Sequence, residues 1–383
     1  MFGKPFLLQP GIVPNAGNRK TVLDEPYTLF PDGGALLLKE FPARVRAGDP
    51  LFKRESGVVL SPVNGVASLQ QSDSETRIRI VQDGVFYQSK ELQPRSWKLG
   101  EALDAMDAYG LVSLDIKDRP LSSLFRKLQK PKFIVLAPFT RTQDIDYLKI
   151  LKENRASHLA FLDALKVWFP ESEVRDYILD LKSPIKKYMH PWGIPEYFLF
   201  KTEKLPFAEF NEVLYLGPET LHHLYRALYG DFPFIERDIT LYFVEKNGTL
   251  KKANAPLRLR NGQNLKFLFD EYGSKYSAFT LNSFYDYYPV RSVKDGFFWD
   301  VRLYHSLILL ANHDREKKEF PCVECGECSL NCPTRSNPMA LVGYLGEFNS
   351  DYCMQCGICT FLCPSSISLR DKIREAKGEI VGN

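Results

Sequence analysis

All eight cysteines of this chain fall between positions 322 and 363, and none occurs in the first 321 residues. They form two runs, CVECGECSLNCP and CMQCGICTFLCP, each of the form C-x2-C-x2-C-x3-C-P, about twenty residues apart. That spacing is the bacterial pattern for ligating 4Fe–4S clusters, in which three close thiolates wrap one corner of a cube. The fourth points away and ligates the neighbouring cluster. The expected ligand sets are therefore crossed: Cys322, Cys325, Cys328 and Cys363 for one cluster, Cys353, Cys356, Cys359 and Cys332 for the other. Gly326 and Gly357 let backbone amides approach the sulfurs, and Pro333 and Pro364 fix the exit of each run. Zinc is disfavoured, because structural zinc sites use two separated pairs rather than three cysteines in seven residues. Disulfides are disfavoured too. They need an oxidising compartment, and the opening MFGKPFLLQPG lacks the charged start, apolar core and cleavage site of a secretion signal. Thiolates and oxygen-sensitive clusters point to a reducing cytoplasm.

Positioning these runs falls to a chain of 383 residues, long enough for two or three domains with real cores. A net charge of +3 is too slight to argue for nucleic acid. No apolar run approaches the ~18–20 residues of a spanning helix, so any work at a membrane is expected to be done on a partner. The longest apolar runs, 133–139 and 306–311, read as a buried strand and a buried helix segment.

The expected fold class is multidomain α+β, in four parts. Residues 1–97 read as short strands between turns such as Pro31-Asp32-Gly33-Gly34, Ala47-Gly48-Asp49-Pro50 and Asn64-Gly65. Within them, 43–69 resembles half of a biotinyl/lipoyl-type barrel sandwich. A swinging prosthetic arm would need a lysine at the hairpin tip, and the tip offers Glu55, Ser56 and Gly57 instead. Residues 98–210 alternate helix and strand, with a helix over 101–109, a strand over 132–137 and a long helical stretch over 144–168, which suggests an α/β layer. A flavin or nicotinamide site there would need a glycine-rich strand-to-helix loop, and 109–120, YGLVSLDIKDRP, carries only Gly110. FMN and NAD are accordingly not expected.

Residues 211–275 read as a β-grasp unit, with a helix over 218–229 and turns at Lys246-Asn247-Gly248 and Arg260-Asn261-Gly262. His222 and His223 project about 100° apart on that helix with no ligand motif nearby, and read as surface or packing residues. His305 and His313 could share a helix face but are not needed as ligands. Residues 276–383 read as a helical ferredoxin domain. A helix is expected over 337–348, and an amphipathic tail helix is expected to turn Leu369, Ile373 and Ala376 toward the clusters. The aromatics at 284–288 and Phe297-Phe298 could form a docking surface or core.

With these parts in order, the chain resembles over nearly its whole length the RnfC/NqrA family, the peripheral subunits of Rnf- and Nqr-type ion-translocating oxidoreductases. The tail CGICTFLCPSSISLRDKIREAKGEI is very close to the RnfC pattern of a second cluster run followed by "CPS-x-I-x-L…R-x-AK". PFIERDITLYFV, 233–244, is similar to the "PLIERxVTVxG" strand of its ligand-binding β-grasp (SLBB-like) unit. Pro138-Phe139 with Thr142 and Asp144 is similar to "ECEPYxTxD", although Ala137 replaces the acid. GLVSLDIKDRPLSSL, 110–124, and LGPE, 216–219, are more like NqrA, which lacks clusters. The resemblance implies electron transfer: two 4Fe–4S clusters relaying electrons between membrane subunits and a soluble ferredoxin or other carrier, on the inner face of the cell membrane. It also implies that the nucleotide site is degenerate. Two rival readings are a flavin-dependent NADH oxidoreductase or cobalamin-reductase-like enzyme, which would carry flavin, and an assembly subunit with structural clusters.

Overall fold

In the computed structural model the described residues are 25–31, 34–72, 75–84, 90–116, 119–141, 145–179, 190–282, 296–311, 319–343 and 346–378, with the backbone of 287–290. The protein is a mixed α/β molecule with several sheets. Asp32, Gly33, Thr142, Asp144, His313 and the aromatic side chains of 284–288, singled out above, lie outside the described residues.

Among the described residues the N-terminal strands form two open sheets and no closed barrel. β1 (Tyr27–Leu29), β3 (Ala43–Val45), β6 (Gly65–Gln71) and β7 (Thr76–Gln82) build one, in the order β1-β7-β6-β3. β2 (Leu36–Leu37), β4 (Pro50–Arg54) and β5 (Gly57–Leu60) build the other. In β7, Ile78 and Ile80 are buried while Arg77 and Arg79 are exposed, the alternation of a half-buried strand. They share a core with Leu51, Phe52 and Val63. The β4–β5 hairpin tip is tied to the body. Arg54 Nη1 lies 3.2 Å from Asp300 Oδ2, and Arg302 donates to Ser56 Oγ at 3.1 Å and to the Val58 carbonyl at 2.6 Å.

The α/β alternation follows. Helices α1 (Leu99–Ala108) and α2 (Leu121–Lys127) precede β8 (Phe133–Leu136), then come α3 (Tyr147–Glu153), α4 (Arg155–Trp168), β9 (Glu173–Asp176), α5 (Pro195–Phe198), β10 (Val213–Leu216) and α6 (Pro218–Gly230). β8 lies between β10 and β9, parallel to both, with Ile134, Val135 and Leu136 fully buried. That is the pattern of a parallel strand covered on both faces. The long helical stretch expected over 144–168 is present as two helices, because Asn154 Nδ2 donates to the Ile150 carbonyl at 2.8 Å and ends α3.

The last sheet is organised on β11 (Glu236–Val244). It pairs with β12 (Leu250–Lys252) and β13 (Leu257–Arg260). After α7 (Lys266–Tyr272), β14 (Ala278–Asn282) and β15 (Tyr287–Val290) extend the sheet, and β16 (Ser306–Leu310) runs parallel to β11 between it and β14. The helix expected at 306–311 is thus corrected to a strand. SLILL is a short, wholly apolar run whose period cannot separate a buried helix from a central strand, and pairing on both edges decides it.

The cysteine-bearing end carries α8 (Glu327–Leu330), a 3-10 turn at Pro338–Val342, α9 (Ile358–Leu362) and α10 (Leu369–Ala376). The longer helix expected over 337–348 reduces to that turn, which starts at a left-handed Asn337 and stops at a left-handed Gly343. α10 buries Leu369 and Ile373, but Ala376, in its last turn, is exposed, a correction to its expected inward direction. Among the described residues no helix is long and apolar enough to cross a membrane.

Candidate metal centre

The two cysteine runs fold alike, residue for residue. Gly326 (φ 74°) opens α8 and Gly357 (φ 79°) opens α9, both left-handed, a conformation that glycine adopts without steric cost. The residues two positions before them, Glu324 and Gln355, are also left-handed (φ 56° and 52°), as are Arg335 and Ser366 three residues beyond each fourth cysteine (φ 60° and 56°). The same spacing has produced the same left-handed turns at matching positions of both runs.

Cys332, Cys353, Cys356 and Cys359 line one cavity with about 350 Å³ of empty space, part of it open to solvent. Thr334, Ser336, Arg370 and Ile373 are among its other walls. The fourth cysteine of the first run therefore stands with the first three of the second. For the other set, the Phe320 N–H donates to the Ser365 carbonyl and Ser365 Oγ to the Pro321 carbonyl, each at 2.9 Å. These bonds lay the segment entering at Cys322 beside the one leaving Cys363. Cys328 and Cys359 share a small core with Ile367, Leu369 and Ile373, and Cys322, Cys353 and Cys363 pack against it. All eight are free thiols. Among the described residues no group of three His, Cys, Asp or Glu side chains forms a site for a single metal ion.

Burial pushes the thiols of Cys356 and Cys359 up to about 12, and raises Cys353 and Cys328 as well. Burial acts on Cys332 in the same direction. There it is outweighed by hydrogen bonds from the Ser336 side chain, the Thr334 and Ser336 backbone and the Thr334 side chain, and Cys332 falls below the usual thiol range. Thiols raised this far stay protonated unless a cationic group takes them as thiolates. Positive charge stands close by: Arg370 is on the cavity wall, and Lys377 Nζ donates to the Cys353 carbonyl at 2.7 Å. Four thiols on one cavity are the donor chemistry that a thiolate-held iron–sulfur group would require.

The two runs face different surroundings. His190 Nε2 lies 2.8 Å from the Cys356 carbonyl oxygen, and the Phe207 and Tyr352 rings are 5.1 Å apart, so the second run is seated against the α/β layer. Tyr197 is raised by burial and, secondarily, by its closeness to Cys356. The first run faces outward: Cys325 is exposed, as are Phe320, Val323 and Leu330, the last at 80 %.

No protein-family model matches this chain, and no curated protein does.

A polar cluster that the sequence reading missed lies where β8 and β10 end. Asp115 is fully buried, and its Oδ2 accepts from the Gly217 N–H and from Thr220 Oγ1, both at 2.7 Å. A Cβ at position 217 would come within 2.1 Å of Asp115 Oδ1, so only glycine admits the carboxyl there. Asp115 occupies the N-terminus of α6, the place in an α/β layer where backbone amides and the helix dipole favour an anion. Beside it Glu219 is held by Arg237, Thr140 and Tyr147. His223 packs edge-on to Phe234, and burial holds both His222 and His223 below the usual imidazole range, as expected of packing residues.

Burial raises Asp115 from 3.8 to about 6 against the pull of its Thr220 and Gly217 hydrogen bonds. The folded chain therefore keeps this proton to a higher pH than the unfolded chain, so the site adds stability as pH falls from about 6 toward 3.8. Urea midpoints should show wild type gaining about 1 kcal/mol on Asp115→Asn between pH 7 and pH 5. A difference that stays constant with pH would mean that the carboxyl titrates at its ordinary value.

Proposed function

We propose that this chain is an electron-relay subunit of an Rnf/Nqr-like ion-translocating oxidoreductase. On this reading the N-terminal sheets are a barrel-sandwich unit, β8–β10 a degenerate nucleotide layer, the β11 sheet a β-grasp (SLBB-like) unit and the cysteine end a helical ferredoxin domain. The observation that carries it is the cavity shared by Cys332 and the first three cysteines of the other run. Two 4Fe–4S clusters bound at the runs would supply one-electron transfer without breaking a bond.

The chain's own residues hold, screen and orient. The cysteines provide the ligands, Ile367, Leu369 and Ile373 exclude water, and local hydrogen bonds and burial set the potentials. The second run lies against the body and the first opens outward, so the partner exchanging electrons with the protein meets it at Cys325, amid Val323 and Leu330. Membrane subunits at the inner face of the cell membrane and a soluble ferredoxin or similar carrier are the partners that this reading assigns. On this reading the α/β layer is not used for a nucleotide, and Asp115, which accepts from the Gly217 N–H and Thr220 Oγ1 at the start of α6, supports it.

Anaerobically purified protein tests the reading directly, through iron, sulfide and flavin content and then addition of NADH with the absorbance and EPR followed. The expected result is about eight irons per chain, no flavin, and signals that dithionite changes and NADH does not. Stoichiometric flavin with bleaching by NADH would make the chain an NADH oxidoreductase instead, and absence of iron and sulfide would end the relay reading.

A further inference from the structure

The two cysteine runs repeat each other in spacing and backbone, but what surrounds their fourth cysteines does not repeat. Cys332 Sγ lies 3.2 Å from Ser336 Oγ, accepts from the Ser336 N–H at 3.3 Å and lies 3.7 Å from Thr334 Oγ1. Ser336 is 1 % exposed and Thr334 7 %, so water does not compete for these bonds. Position by position along the second run, Thr334 corresponds to Ser365 and Ser336 to Ile367. Ser365 spends its hydroxyl on the Pro321 carbonyl, and Ile367 has no hydroxyl. Packing alone does not require a hydroxyl at 336, because an apolar side chain fills the matching place and belongs to the small core.

A hydrogen bond to a ligating sulfur stabilises the form with more negative charge on the metal group, which is the reduced one. Resting on the relay reading above, we propose that Ser336, acting through Cys332, selectively raises the reduction potential of the centre held by Cys332, Cys353, Cys356 and Cys359, making it electronically distinct from its sequence-related twin. The step it biases is the passage of one electron, which leaves one centre as it arrives on the other, with no proton or bond exchanged. Ser336 is a positioning residue, and burial of the same cavity works in the opposite direction. The inference therefore concerns the contribution of Ser336 and not the absolute order of the two potentials.

EPR-monitored redox titration of the anaerobically purified chain provides the test, with iron and sulfide assayed on each variant. Ser336→Ala should leave the metal content unchanged and make one centre about tenfold harder to reduce at equilibrium, a fall of about 59 mV for one electron. The other centre should not move. Ser336→Thr keeps a hydroxyl and should restore most of the potential. The reciprocal variant Ile367→Thr puts a hydroxyl beside Cys363 and should raise the other centre alone; it decides the matter if Ser336→Ala binds too little iron to titrate. Fully loaded variants whose two potentials match wild type, or move together, would overturn the role of Ser336 and leave the relay standing. A wild-type chain without iron would remove the relay itself.

Discussion

Replacing Cys332 by serine is expected to abolish the centre of the second cysteine run and to spare that of the first run, in which Cys332 itself lies. Iron should fall from about eight to about four per chain. Cys332 stands on the cavity of Cys353, Cys356 and Cys359, and a serine oxygen there is a poorer ligand for iron than a thiolate. The surviving EPR signal should be that lost in Cys363→Ser. That converse change is expected to remove the centre of Cys322, Cys325 and Cys328, beside which the Phe320–Ser365 and Ser365–Pro321 hydrogen bonds bring the exit of the second run. The pair of variants is informative because the alternative is equally definite. If each substitution damages the run in which it sits, the ligand sets are uncrossed, and the shared cavity is an accident of packing.

The turns of the two cysteine runs were legible in the sequence because their determinants are local. Eight cysteines at two repeated spacings specify their turns, and glycines stand where left-handed backbone is needed. The helix at α6 and the turn at Gly248 were legible for the same reason, since Pro218 and Asn247-Gly248 mark them directly. Features that depend on distant partners were not. SLILL becomes a central strand only because β11 and β14, both far along the chain, pair with it. Asp115 sits in an unremarkable loop, and nothing in its neighbours foretells that Gly217, more than a hundred residues later, leaves room for its carboxyl. Ser336 could have been noticed by aligning the two runs, where serine faces isoleucine in otherwise matching frames. Asn154 carries a cap signal that the apolar periodicity of the surrounding helices outweighed.

The largest stability effect is expected away from the cysteines, at Arg237. Its guanidinium donates to both oxygens of Glu219, at 2.7 and 2.9 Å, and to the carbonyls of Val301 and Tyr304 at 3.1 Å. The carboxylate also accepts from Thr140 Oγ1 at 3.1 Å and from Tyr147 OH at 3.2 Å. The side chains are 2 % and 0 % exposed. One ion pair thus joins the loop after β8, α3, α6, β11 and the connection into β16. Arg237→Met would leave Glu219 as a buried charge without its cation, and should lower unfolding stability by about 3–5 kcal/mol in urea titration. The double change Glu219→Gln with Arg237→Met removes both charges. It should cost clearly less than the sum of the two single changes, because the single changes are harmful mainly through the charge that each leaves behind. Tyr147, already raised by burial and by the Glu219 charge, keeps its proton throughout the neutral range and goes on donating in every variant. If Arg237→Met costs under about 1 kcal/mol, water reaches the pair in solution, and the packing of the β11 sheet against α6 holds these segments together without it.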